Sequence, residues 1–334
     1  MASAGSSGYL TISLDRSNIR QESATMPRVL VVGSINTDLI VRCARVPEEG
    51  ETVHGDNFAT AGGGKGANQA VAASRLGART SLVARVGEDE FGPKLLSDLE
   101  QDGVNTDAVI SDPKAPSGVA LILLEHGGHN RIVVMDGANA RLGEPDVRAA
   151  RALVADSDVV LFQLEIPIPV IAEVAAAARE SGVPSILDAG PATPAAVEAG
   201  LPALIDIISP NETEAEILTG IAVRDLGDAA RAASRFHAMG ARDVVLKLGA
   251  QGAYWSGPGG ELHVAGFAIE AVDTTAAGDA FTACLGVGIA SGANMPAAIH
   301  RANAAGALAC LTLGAQPSMP TCEEVDAFLR DHAA

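Results

Sequence analysis

The segment of this chain richest in chemical possibility is Asp273-Thr274-Thr275-Ala276-Ala277-Gly278-Asp279-Ala280-Phe281. Small residues and a glycine run into an apolar helical stretch that starts near Asp279. The N–H groups at such a start have no intrahelical acceptors, converge on one spot, and sit where the helix dipole favours negative charge. The segment reads as an anion cradle with a carboxylate beside it. A carboxylate so placed can accept the proton of an attacking hydroxyl. The plainer alternative is that Asp279 only caps the helix.

Three further clusters carry polar groups suited to ligands. Gly62-Gly63-Gly64-Lys65-Gly66-Ala67-Asn68 sets four glycines around a lysine, which lets backbone approach a ligand closely. It is not a P-loop: Ala59 stands where the first glycine is needed, and Gly66 where Ser or Thr would hold magnesium. A flexible loop is the bland alternative. Gly33-Ser34-Ile35-Asn36-Thr37-Asp38 follows an apolar run, and ligands of open α/β sheets bind beyond the carboxyl ends of strands. Asn36 and Asp38 can grip hydroxyls there, an Asx turn being the local alternative. Pro210-Asn211-Glu212-Thr213-Glu214-Ala215-Glu216 places three carboxylates in the first turns of a helix, which the dipole alone explains. Asn211 and Glu214 can equally organise a metal–phosphate complex through water, because Mg²⁺ keeps much of its hydration shell.

These clusters need elements to position them. Arg28–Val32 is a short β-branched run ending at Gly33, the pattern of a buried strand. Strands are also expected at Thr80–Val86, Asp158–Leu164, Ser185–Asp188, Ile205–Ser209 and Asp243–Leu248. Helices are expected at Gly66–Leu76, Phe91–Gln101 and Ile168–Glu180, and over most of the chain from Asp279 onward. Alternation of β and α predicts an α/β fold: a doubly wound, mostly parallel sheet with helices on both faces. Residues 39–61 and 117–135 break the alternation with hairpin-like pieces, the second turning at His126–His129. They are expected to form a small β-sheet lid.

Composition limits the function. Hydrophobic residues make up 48% of the 334 and aromatics 3%, so the core must be built from Ala, Val, Leu and Ile. A net charge of −18 repels polyphosphate backbones and argues against nucleic acid as a partner. Cys43, Cys284, Cys310 and Cys322 lack zinc-ligand spacing and read as reduced thiols. No run reaches the roughly 18 apolar residues of a membrane span. Residues 1–26 are polar and Ser-rich without an apolar signal core, and read as a disordered extension; the protein is expected to be soluble and cytoplasmic.

Taken together, GSINTD, Gly63-Gly64-Lys65-Gly66-Ala67-Asn68, PNETEAE, LKLGAQG, DTTAAGDAF and GAQPS resemble the sugar kinases of the ribokinase and minor phosphofructokinase family. The resemblance runs in order from about Pro27 to Leu329, and makes 27–334 one kinase domain. It implies transfer of a phosphoryl group from ATP to the primary hydroxyl of ribose. Asp279 would be the base, and the N–H groups of Ala276, Ala277 and Gly278 the anion hole. Asn36, Asp38, Gly64, Lys65, Asn68, Glu165 and Asp279 would hold the sugar. Asn211, Lys247, Gly249, Gly252, Gly278 and Asn303 would contact the nucleotide, with Glu214 behind a magnesium ion. Asp273, Thr275, Ala309, Thr312, Gly314 and Ser318 would surround a potassium ion, and the lid would carry a homodimer contact. Fructose, 2-keto-3-deoxygluconate and nucleosides are the rival acceptors. A non-catalytic sugar-binding regulator is the rival of another class. Lys247 departs from the family, which commonly has Thr there, so its contact is either backbone alone or an added charge near phosphate.

Overall fold

The computed structural model describes residues 26–126 and 130–332. The expected extension over residues 1–26 lies almost wholly outside them, as does most of the His126–His129 turn. In chain order the elements are β1 (Arg28–Val32), β2 (Asn36–Cys43), β3 (Gly55–Gly63), α1 (Lys65–Arg75), β4 (Arg79–Gly87), α2 (Gly92–Gln101), β5 (Val109–Asp112), β6 (Gly118–Glu125) and β7 (Asn130–Met135). Then follow α3 (Glu144–Val154), β8 (Val159–Gln163), α4 (Ile168–Glu180), β9 (Ser185–Asp188), α5 (Pro194–Glu198), α6 (Leu201–Leu204), β10 (Ile207–Ser209), α7 (Glu212–Thr219) and α8 (Leu226–Ala238). The chain ends with β11 (Asp243–Lys247), β12 (Ala253–Gly257), β13 (Gly260–Val264), α9 (Ala277–Ala290), α10 (Met295–Ala309) and α11 (Cys322–Asp331).

Nine strands form the main sheet in the order β13-β12-β11-β10-β9-β8-β1-β4-β5. All neighbours from β11 to β5 run parallel, and β12 and β13 close one edge as an antiparallel hairpin that the sequence reading did not foresee. Alternate residues of β1 feed two separate cores. Val29 and Val31 pack with α1, α9 and α10, whereas Leu30 and Val32 pack with α3, α4 and α8. Both faces are thus covered by helices, as a parallel sheet requires. The scarcity of aromatics shows in the packing: α1 buries Ala67, Ala70, Val71, Ala72 and Ala73, letting it lie close to the sheet.

The two irregular segments assemble into one separate sheet of order β3-β2-β6-β7. Asn36 and Asp38 therefore lie in strand β2, paired with Gly118 and Ala120 of β6, and not in an Asx turn. The Gly62–Gly64 run likewise ends β3 and caps α1, with Gly64 at φ 87°. A Cβ at Gly33 would lie 2.7 Å from the Gly66 Cα, so the bare backbones at the end of β1 and the start of α1 can touch.

Behind β4, the Arg85 guanidinium bonds Asp146 at 2.8 Å and Asp112 at 2.8 Å, fastening the sheet to α3. Asp146 is fully buried and also accepts from the Gly143 N–H at the start of α3. Removing one partner of a buried pair strands the other charge, which costs about 3–5 kcal/mol. Asp146→Ala is therefore expected to lose about 3 kcal/mol or more of stability, read as a lower urea midpoint. A midpoint equal to that of the parent chain would show the network to be dispensable.

Candidate active site

The site collects at the carboxyl ends of β1, β8, β9, β10 and β11, where strand order reverses around β1. Asp279 is the third residue of α9, and the residue that caps this helix, Ala276, contributes no side-chain bond. The cap reading of Asp279 therefore fails. Its carboxylate turns instead toward α1: Oδ2 accepts from Asn68 Nδ2 at 2.9 Å, Oδ1 accepts from Gln69 Nε2 at 3.1 Å, and Lys65 Nζ stands 3.5 Å from Oδ1. Asn68 spends its donor on Asp279 and leaves Oδ1 buried without a partner among the described residues. The helix start is partly open. Ala277 N–H reaches the Thr274 carbonyl at 3.3 Å, whereas Gly278 and Asp279 sit in the first turn, which offers no intrahelical acceptor.

The ammonium groups of Lys65 and Lys247, both expected at the site, and one carboxylate absent from the sequence motifs, Asp188, tie this region together. Asp188, fully buried at the end of β9, lies 3.1 Å from Lys247 Nζ and 3.9 Å from Lys65 Nζ. It also accepts from Gln69 Nε2, Thr282 Oγ1 and the Gly190 N–H. Burial pushes the Asp188 carboxyl upward, but Lys247 and Lys65 outweigh that and hold it below its usual range. For Lys65, burial works against the charge, yet Asp188, Asp279, Glu165 and Glu214 outweigh it and raise its pKa. Lys247 Nζ also lies 3.5 Å from where a Gly278 Cβ would be. Its charge, not its backbone alone, is therefore present at the helix start.

Around the expected sugar pocket, Glu165 follows β8. Its Oε2 accepts from Ser34 Oγ at 2.5 Å and from the Lys65 N–H at 3.0 Å. Burial raises the Glu165 carboxyl, with the Ser34 hydroxyl and Lys65 offsetting part of the shift. Asp38 is pushed up to about 7 by burial, then by the charges of Glu165 and Asp279. A Cβ at Gly63 would lie 2.3 Å from Asp38 Oδ1, so a side chain at that strand position would displace the Asp38 carboxylate. Beside Glu165 opens a cavity of about 410 Å³, lined also by Pro191, Thr193, Val134 and Asp136.

The expected nucleotide side is built differently from residue to residue. Asn211 and Glu214 do form the cap of α7: Asn211 Oδ1 accepts from the Glu214 N–H and Glu214 Oε2 from the Asn211 N–H, both at 2.8 Å. Glu214 Oε1 stays outside that exchange and would lie 2.4 Å from a Gly190 Cβ, among the site charges. Burial, then the charge of Asp188, raises its pKa. Gly249 and Gly252 turn the chain after β11 at φ 52° and 93°. Asn303 donates to the carbonyls of Val264 and Ala265, and a Cβ at Gly252 would lie 2.1 Å from that same Val264 oxygen. Asn303 thus supports the loop that Gly252 approaches.

Of the six residues expected around a monovalent cation, three are linked directly. Asp273 Oδ1 accepts from the Thr275 N–H and hydroxyl, and Oδ2 from the Gly314 N–H at 2.9 Å. Burial acts upward on Asp273, but these bonds outweigh it and hold the carboxyl below its usual range. Ala309 ends α10, and the next carbonyl, that of Cys310, accepts from Val272 and Asp273 N–H. Ser318 donates its hydroxyl to the Ala315 carbonyl, and Thr312 is exposed.

The model for the pfkB family of carbohydrate kinases matches residues 26–322. A ribokinase of Haemophilus influenzae is 41% identical over 303 residues, covering 91% of this chain and 98% of its own. A ribokinase of Bacillus subtilis is 38% identical over 307 residues, covering 91% of this chain and 100% of its own. The solved structure of Arabidopsis thaliana ribokinase complexed with ribose and ATP superposes with a TM-score of 0.84 at 36% identity, covering 92% of this chain and 99% of that one. With an acid and two lysines gathered at a helix start, and a match over nearly its whole length, this chain belongs to the pfkB family of carbohydrate kinases.

Proposed function

We propose that this chain is a ribokinase, transferring the γ-phosphoryl group of ATP to the 5-hydroxyl of D-ribose to give ribose 5-phosphate and ADP. The observation that carries the reading is the buried Asp279 carboxylate, held by Asn68, Gln69 and Lys65 at the open start of α9. Asp279 takes the proton of the 5-hydroxyl as its oxygen forms a bond to the γ-phosphorus. The bond between that phosphorus and the bridging oxygen breaks, and ADP leaves with the electron pair. Of the anion hole expected at Ala276, Ala277 and Gly278, the Ala277 N–H is turned to the Thr274 carbonyl; the N–H groups of Ala276 and Gly278, with Lys247 and the dipole of α9, face the charge on the migrating group. Asn36, Asp38, Gly64, Lys65, Asn68 and Glu165 hold the sugar. Lys247, Gly249, Gly252 and the loop under Asn303 receive the nucleotide.

A hydrated magnesium ion would be held through water by Asn211 and Glu214, whose Oε1 the cap leaves over. Among the described residues no cluster of three acidic, His or Cys ligands could grip a metal directly, which suits an ion held mainly by phosphate. Bound to the nucleotide, it would neutralise phosphate charge. Asp273, Thr275, Ala309, Thr312, Gly314 and Ser318 would offer oxygen to a potassium ion, and an ionised Asp273 fits such a hard cation. The small sheet acts as lid and homodimer surface, a reading supported by exposed Phe58, Leu121, Val133 and Met135. Four free thiols suit the reducing cytoplasm.

The function is tested by an ADP-release assay with ribose, fructose, 2-keto-3-deoxygluconate and nucleosides. Ribose is expected to give the highest kcat/KM, and a better acceptor in that panel would reassign the substrate. In the same assay Asp279→Asn is expected to cost about 10²–10⁴-fold in kcat while ribose still binds. Near-normal turnover would remove the base assignment.

Asp38 supplies a pH signature. The folded protein keeps a proton there up to about pH 7, over a range in which the unfolded chain has already lost it. Its contribution to stability is thus fullest at acid pH and fades as pH rises toward 7. Sugar binding has the opposite sign, because the ionised carboxylate accepts from hydroxyls in stronger, charge-assisted bonds than the neutral acid does. Ribose kcat/KM should fall below about pH 7, and Asp38→Asn should flatten that limb of the profile. An unchanged limb in the variant would assign it to another group.

Potassium should raise activity by ordering the Asp273–Gly278 loop, and Asp273→Ala should abolish the response. Equal rates in potassium, sodium and lithium over a wide range would remove the cation site.

A further inference from the structure

Asn139 belongs to none of the sequence motifs and lies in a 3-10 turn (Gly137–Arg141) that carries the chain from β7 into α3. It is buried, with 1% exposure. Its Oδ1 accepts from the Ile35 N–H at 3.0 Å, and its Nδ2 donates to the Ile35 carbonyl at 3.0 Å. A backbone N–H can only donate and a carbonyl can only accept, so these two bonds fix which end of the Asn139 amide is which. The same Nδ2 lies 2.8 Å from the Asn36 side chain. A donor nitrogen there demands an acceptor, so Asn36 must turn Oδ1 toward Asn139. Its own NH₂ then lies on the other side of the amide, away from Asn139.

We propose that Asn139 is a positioning residue that locks the Asn36 amide so that a donor, not an acceptor, faces the sugar. This rests on the reading above that Asn36 belongs to the sugar pocket. The complement stands across the site. Asp279 consumes the Asn68 donor and leaves Asn68 Oδ1 as a buried acceptor. One asparagine therefore offers hydrogen and the other a lone pair, and a sugar hydroxyl can meet only one of them in a given orientation. Gly118 completes the lock, because a Cβ there would fall 2.1 Å from Asn36 Oδ1 and 2.3 Å from Asn139 Nδ2. The lock also reaches the small sheet: Gly118 opens β6, and Ala138, next to Asn139, donates to the Pro116 carbonyl at 2.8 Å.

Asn139→Ala, Asn36→Ala, Asn36→Asp and the Asn36→Ala/Asn139→Ala double variant of the full chain test this by steady-state kinetics, with thermal unfolding as the check on folding. Asn139→Ala is expected to raise the KM for ribose about tenfold, the weight of one oriented hydrogen bond, with the KM for ATP within about twofold. Asn36→Asp keeps the acceptor for Asn139 but exchanges the presented donor for an oxygen and adds a negative charge, so it should raise ribose KM at least as much. The double variant should be no worse for ribose than Asn36→Ala, because a free amide and an absent one serve the sugar equally little.

A folded Asn139→Ala with unchanged ribose KM overturns the proposal. So does a parallel rise in both KM values, the mark of a merely structural residue, or additivity in the double variant. If Asn139→Ala does not fold, Asn36→Asp decides alone: an unchanged ribose KM means that an acceptor faced the sugar, and the proposal falls. If Asn36→Ala leaves ribose KM unchanged, the sugar-pocket reading of Asn36 fails first and this inference falls with it.

Discussion

Buried charge is tolerable only when it is matched, and that constraint organises the catalytic end of this protein. Asp188, Asp279, Glu165 and Glu214 all act on Lys65, and Asp188 is shared with Lys247. Each of those charges alone would carry a heavy desolvation cost; together they form an arrangement in which removing one partner strands the others. The strands β8, β9 and β11 must therefore end at fixed positions relative to α1 and α9. The parallel sheet supplies that, because each crossover returns the chain to the same edge. The chain as a whole is strongly acidic, and in the proposed site Lys65 and Lys247 stand among four carboxylates, so the positive charge there is spent mainly on the protein's own acids.

Close approach is the second requirement. Asn68 and Gln69 reach Asp279 only because α1 begins hard against the end of β1, where Gly33 and Gly66 meet with no Cβ between them. Gly66 would place a Cβ 2.4 Å from the Ser34 N–H, so any side chain there would push α1 away from the sheet. The four-glycine run is therefore neither a mobile loop nor a phosphate cradle. It is a packing joint that delivers Lys65, Asn68 and Gln69 to the carboxylates. The alanine-rich interior of α1 serves the same end, since small buried side chains bring a helix axis closer to the sheet.

Elements with strong periodic or β-branched patterns were legible in the sequence. β1, α4 and β9 fall at their expected bounds, and most of the others begin or end within one or two residues of expectation. The β12–β13 hairpin was not legible, because its two short arms lack an unbroken apolar run. At the site, residues carried by local motifs were readable, whereas those that act through distant partners were not. Gln69 meets Asp188 across 119 positions, Ser34 meets Glu165 across 131, and Asn139 meets Asn36 across 103. Asp188 itself closes a plain apolar strand, and nothing beside it in sequence signals two lysines. The one available cue was its place at a strand's carboxyl end, the feature that also marked Asn36 and Asn211.

Lys247 shows how one substitution within a family pattern is absorbed. An ammonium beside the start of α9 faces the positive end of a helix dipole, which by itself disfavours it. Asp188 reverses that balance by holding the ammonium at 3.1 Å. A threonine at the same position would leave Asp188 facing Lys65 alone, across 3.9 Å. The lysine and the aspartate thus form a pair in which each makes the other tolerable before any ligand arrives. In the proposed reaction a γ-phosphate would bring a second anion to the same ammonium. Lys65 and the Gln69 amide would stay on Asp188 while Lys247 shared its charge with that phosphate. A charge that would be a liability at a bare helix start therefore becomes available at the moment negative charge reaches it.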